Sequence, residues 1–127
     1  MSSDLWLHGK VVRGAGRGRE LGWPTANLEL ATPSLQPDEG VYAAWARVDN
    51  GDRLPAAVHV GPAPTVNRTK SIFEVHLINF PDRDLYEMEF EVQIVERIRD
   101  VEKFDSLSDL TDAIANDCQV ALKLLQS

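Results

Sequence analysis

The chain has 127 residues, 43% of them hydrophobic, which suits one globular domain, taken as residues 1–127, with a core of its own. Its formal net charge of −7 argues against a general nucleic-acid binder, which neutralises phosphates with a basic face. A single cysteine, Cys118, excludes an internal disulfide and a cysteine-based zinc site, and fits a reducing, cytoplasmic setting. No apolar stretch approaches the roughly 18 residues that span a bilayer, and MSSDLWLHGK lacks the basic start and long apolar run of an export signal. Neither a membrane partner nor export is expected.

In chain order, the first signal is residues 9–28, GKVVRGAGRGRELGWPTANL. Gly14, Gly16, Gly18 and Gly22 permit close approach of a phosphate to backbone N–H groups. Arg13, Arg17 and Arg19 concentrate positive charge in an otherwise acidic chain, as a small anionic ligand requires. No Gly-Lys-Ser/Thr follows, so this is not a Walker A loop, and Pro24 stops the helix that a dinucleotide fingerprint needs. A flexible basic loop is the plainer alternative. Residues 31–39, ATPSLQPDE, read as a loop too short to separate domains.

Residues 40–48 (GVYAAWARV) and 54–60 are β-prone runs around Asp49-Asn50-Gly51-Asp52, the pattern of a hairpin with an Asn-Gly turn. Alternation resumes over 71–80 (SIFEVHLINF) and is strict over 86–94. There Met88, Phe90, Val92 and Ile94 oppose Glu87, Glu89, Glu91 and Gln93. The turn-rich Pro81-Asp82-Arg83-Asp84 between them predicts a second hairpin. Leu107, Leu110, Ile114, Cys118, Ala121 and Leu125 then recur at three and four, the stripe of an amphipathic helix, with Ser106 as N-cap and Asp109 in the capping-box position. Several hairpins and one terminal helix predict a small closed β-barrel with a helix packed on it.

Three sets of residues invite chemistry. Glu74, on one strand face with Ile72, His76 and Ile78, is a carboxylate among apolar neighbours. Burial would raise its pKa and make it a better base, while a rim glutamate paired with an arginine is the alternative. His76 reads as a satisfied strand histidine rather than a ligand. Thr25 and Asn27 offer hard oxygen donors after the rigid Pro24, suited to magnesium, or else serve only to satisfy a turn. Cys118 lies on the helix stripe and reads as core. No HxH, HxxxH or repeated acidic spacing supports a transition-metal cage.

Taken in order, GKVVRGAGRGRELGWPTANL, EGVYAAW, VGPAPT, FEVHL, DLY and IRDVEKFDSL resemble the riboflavin kinase domain across nearly the whole chain. The resemblance implies a mainly β fold, a six-stranded antiparallel Greek-key barrel with a C-terminal helix. The implied activity is phosphorylation of riboflavin at its ribityl 5′-hydroxyl to give FMN, with ATP as co-substrate and magnesium as cofactor. It further implies that Thr25 and Asn27 are the magnesium and phosphate residues and that Glu74 is the catalytic base. The loop with Gly14, Gly16, Arg17, Gly18, Arg19 and Gly22, leading into Pro24, would cover the ATP phosphates. Arg99 and Phe104 would flank the flavin.

The chain departs from the family pattern in three places. Leu85-Tyr86-Glu87 stands for Leu-Tyr-Gly, His59-Val60-Gly61 for Asn-Ile-Gly, and Ala63 for an arginine or asparagine. These changes bear on substrate affinity more than on fold, and they motivate the alternative of a catalytically impaired flavin- or nucleotide-binding module. Bacterial relatives commonly fuse the kinase behind an adenylyltransferase domain, for which 127 residues leave no room, so the expected product is FMN. A monomer is expected.

Overall fold

The computed structural model describes residues 5–12, 25–62, 71–78, 85–102, 104 and 106–126. Among these residues six strands, β1 (Leu7–Val12), β2 (Thr25–Leu30), β3 (Gly40–Val48), β4 (Leu54–Pro62), β5 (Ser71–Leu77) and β6 (Glu89–Arg99), with a 3-10 turn at Pro33–Leu35, precede the helix α1 (Leu107–Gln126). The strands close a barrel in the order β1-β2-β5-β4-β3-β6, every pair antiparallel. Three successive strands, β3, β4 and β5, form a meander whose β5 edge is taken by β2, a Greek-key connection. Closure leaves no unpaired strand edge.

Alternation along each strand explains the core. Ala26, Leu28 and Leu30 of β2, Ala44 and Ala46 of β3, Val58 and Val60 of β4, Phe73, Val75 and Leu77 of β5, and Phe90 and Val92 of β6 all point inward and are buried. Small alanines beside Phe73 and Phe90 let the two rings share a narrow interior. A second cluster lies outside the barrel, where Ile114, Cys118 and Ala121 of α1 pack on Ala43, Ala57 and Ile78. The alanines on β3 and β4 let the helix approach closely. Asp109 N–H donates to Ser106 Oγ at 3.1 Å, so the predicted N-cap is made.

Two expectations are corrected. The β3–β4 turn does not centre on Asn-Gly. Asp49 (φ 50°) and Asn50 (φ 62°) are the two left-handed central residues, and Gly51 N–H closes the turn on Val48 C=O at 3.0 Å. The hairpin predicted between the strands at 71–80 and 86–94 does not form. Instead β5 pairs with β2 and β4, and β6 pairs with β1 and β3. Closing the barrel requires each to fill a gap between strands that are distant in sequence, and this outweighs local pairing; the turn predicted at 81–84 lies outside the described residues.

Candidate functional site

The register brings the predicted residues together. Asn27 of β2 lies opposite Glu74 of β5, Glu74 opposite His59 of β4, His59 opposite Val41 of β3, and Val41 opposite Arg99 of β6. Directly opposed residues share a sheet face, with Cβ atoms about 5 Å apart. Because Phe73 and Val75 point inward, this row faces outward, on the side of the barrel that α1 also covers. In the adjacent row Thr25 lies opposite His76, and His76 opposite Ala57. Thr25 and Asn27 thus belong to a strand rather than a turn.

Glu74 is enclosed, its side chain 15% exposed, and its carboxylate Oε1 lies 3.3 Å from Nε2 of the nearly buried His76. An imidazole thus lies against the glutamate. His59 completes the flank. Burial lowers its pKa below 6.5, reinforced by His76 and Arg99 and opposed by Glu74 and Asp117, so at neutral pH its imidazole is uncharged.

Arg99 sits at the far end of the row. Its Nε and Nη2 donate to Asp117 Oδ1 and Oδ2 at 2.9 and 2.8 Å, a bidentate pair joining β6 to α1, and Nη1 donates to Asp100 C=O at 2.9 Å. Asp117 is 4% exposed. The guanidinium also lies over the Phe104 ring, 5.8 Å from its centroid, so Arg99 and Phe104 are in contact with each other. Asp117 was not anticipated, although it falls three residues after Ile114 and four before Ala121, on the apolar stripe where a carboxylate needs a partner. The Cys118 thiol is pushed up to about 12 by burial and by Asp117, which fits its reading as core.

Gly14, Gly16, Arg17, Gly18, Arg19, Gly22, Pro24 and Ala63 lie outside the described residues. Glu87, where a permissive residue was expected, has φ 69°, the left-handed region that costs a residue with a Cβ.

The structure thus sets a strand-borne carboxylate beside an amide, with the Gly/Arg-rich run falling in the sequence between β1 and the strand that carries the amide. Comparison decides the family. The riboflavin kinase family model matches residues 1–125. The chain belongs to the riboflavin kinase family. It is 39% identical over 125 residues to human riboflavin kinase, covering 95% of this chain and 81% of that protein. It is 34% identical over 121 residues to the bifunctional riboflavin kinase/FMN adenylyltransferase of Haemophilus influenzae, covering 95% of this chain and 39% of that protein. The crystal structure of riboflavin kinase from Trypanosoma brucei superposes with a TM-score of 0.73 at 28% identity, covering 96% of this chain and 77% of that one. The six-stranded Greek-key barrel with a terminal helix is thus a riboflavin kinase fold. Among the described residues, no helix is long and apolar enough to cross a membrane.

Proposed function

We propose that this riboflavin kinase domain transfers the γ-phosphoryl group of ATP to the ribityl 5′-hydroxyl of riboflavin, with magnesium assisting. The observation that carries the reading is the adjacency of Asn27 and Glu74 in one outward-facing row, which sets the Asn27 amide side chain beside an enclosed carboxylate.

The division of labour follows from the chemistry. Phosphoryl transfer asks little covalent help of a protein, so positioning and charge neutralisation supply most of the rate. Glu74 is the base that accepts the hydroxyl proton and orients the attacking oxygen. Asn27 and Thr25 provide neutral hard-oxygen donors, and no group of three or more His, Cys, Asp or Glu among the described residues could cage a metal. That donor set fits magnesium, which keeps several waters and takes one or two protein ligands together with substrate phosphates. When bound, the ion would neutralise charge on the transferring phosphate. The Arg/Gly segment around Gly14, Gly16, Arg17, Gly18, Arg19 and Gly22, with Pro24 behind it, is the phosphate cover. Arg99 and Phe104, held against α1 through Asp117, form the flavin side.

Purified protein supplied with riboflavin, ATP and magnesium is expected to form FMN, read by chromatography of the flavins, and to stop when magnesium is chelated. Tight flavin binding with no FMN under any nucleotide or divalent ion would replace this reading with that of a binding module. Glu87, His59 and Ala63 are the departures that motivate the module.

A further inference from the structure

Resting on the assignment of Glu74 as the base, we infer that His59 is a positioning residue for that carboxylate. Three observations converge on it. The register sets His59 directly across β4–β5 from Glu74 and on the same outward face, so the carboxylate is flanked by Asn27 on one side and His59 on the other. The imidazole is also wedged. It leans along β4 over Gly61, where a Cβ would lie 3.1 Å from His59 Cε1, 3.2 Å from its Nε2 and 3.3 Å from Cγ2 of Val101. A half-buried ring packed over the Gly61 backbone has less freedom than a surface histidine. Finally, His76 approaches the same carboxylate at 3.3 Å, so two imidazoles bracket Glu74.

The charged and titratable groups acting on His59 are Glu74 and His76 from β5, Arg99 from β6 and Asp117 from α1. Burial, helped by His76 and Arg99, keeps the ring neutral near pH 7 against the opposing pull of Glu74 and Asp117, so Glu74 lies across from an uncharged ring. A cation opposite Glu74 would stabilise the carboxylate and weaken it as a base, whereas a neutral ring packed across the strands limits its range of positions without that cost. Val101, in the segment between β6 and α1 that carries Phe104, approaches the same Gly61 backbone over which the ring lies.

The test is a double-mutant cycle on FMN formation with His59→Leu, Glu74→Gln and the pair, together with His59→Asn and Gly61→Ala. His59→Leu is expected to lower kcat about 10- to 100-fold, as misdirected groups do, with KM for riboflavin and ATP held within about twofold. His59→Asn, which retains a donor, should recover most of the loss. Gly61→Ala, which displaces the ring without altering it, should lower kcat in the same way, and it carries the test if His59→Leu does not fold. In the Glu74→Gln background, His59→Leu should change the residual rate less than about twofold, because the two act as a unit. An unchanged kcat in His59→Leu, an equal drop in both backgrounds, or a KM effect alone overturns the inference. A fully active Glu74→Gln overturns the base assignment itself, and an inactive Glu74→Gln beside an indifferent His59→Leu overturns only the role of His59.

Discussion

The barrel has two outer faces that use the same cross-strand rule to different effect. On the face beneath α1, Asn27, Glu74, His59 and Arg99 line one row, and Asp117 reaches down from the helix to complete a bidentate pair. On the face of β1, β6 and β3, Lys10 lies between Glu29 and Glu89, and His8 opposes Glu91, 3.5 Å from Nε2 to Oε2. Arg47 stacks on Trp6, with its Cζ 4.4 Å from the ring centroid. Both faces set opposite charges against each other, across strands on the open face and between β6 and α1 on the covered one. They differ in water: the His8 side chain is 63% exposed and that of Asp117 only 6%. Screened pairs stabilise little and enclosed ones are costly to break, which is why the proposed chemistry is assigned to the covered face.

The sharpest way to break this contrast is at Glu74. Replacing it with Gln should lower the rate of FMN formation by roughly 10² to 10⁴, the range for losing a positioned base, with the urea midpoint little changed. A variant with wild-type turnover would remove the covered face from the chemistry.

The next effect is on stability. Asp117→Ala leaves Arg99, whose side chain is 25% exposed, without its bidentate acceptor, and is expected to destabilise the fold by about 3 kcal/mol in urea denaturation. The double variant Arg99→Met, Asp117→Leu should recover much of that, since the loss comes largely from a stranded charge. A cost near 0.5 kcal/mol for Asp117→Ala would mean that the two faces are energetically alike.

The third test uses pH. A histidine whose folded pKa lies below its unfolded value of about 6.5 binds its proton more readily when unfolded, so stability rises with pH across that interval. His59 therefore contributes a loss of stability that begins as pH falls through about 6.5 and is complete below its folded pKa. His59→Asn should flatten the stability curve on the acid side of neutrality and leave it parallel to wild type above pH 7. An unchanged acid limb would show that the ring is not held neutral.

How much of this could be read from the chain follows from the range of each interaction. Strand β3 carries its own signals, an apolar, β-prone run from Gly40 to Val48 ended by a cluster of turn residues, and the helix announces itself through Ser106 and its three-four stripe. Strands β1 and β2 are six residues each and border a glycine- and arginine-rich run whose composition masks them. The partners of β5 and β6 were not legible because barrel closure is non-local: local turn chemistry favours pairing them, and the gaps between β2 and β4 and between β1 and β3 decide otherwise. Glu74 and Asn27 stood out as residues, but their adjacency is a property of register. Asp117 was hidden because a polar residue on a helix stripe is recognised only once Arg99 is known to face it.

A smaller effect is expected at the end of the open face, where Glu87 N–H donates to Val11 C=O at 3.0 Å and Met88 N–H to Leu85 C=O at 3.1 Å, a turn that requires φ 69° at Glu87. Glycine adopts that backbone without the Cβ clash, so Glu87→Gly should stabilise by about 0.5 to 1 kcal/mol after the entropy glycine loses on folding. Glu87→Ala, which keeps the Cβ, should not. If both variants stabilise equally, relief of negative charge rather than of backbone strain is the cause.

The smallest effect closes the comparison. Glu91 faces His8 on one side and Arg47 on the other in the register, and Arg47 is itself stacked on Trp6, so removing the Glu91 charge leaves both neighbours solvated or supported by an aromatic ring. Glu91→Gln is therefore expected to change stability by no more than about 0.5 kcal/mol, and less at 0.5 M salt, where the Debye length falls to roughly 4 Å. A salt-insensitive cost several times larger would mean that the open face is not screened, and that exposure fails to explain why the chemistry is assigned to the other side of the barrel.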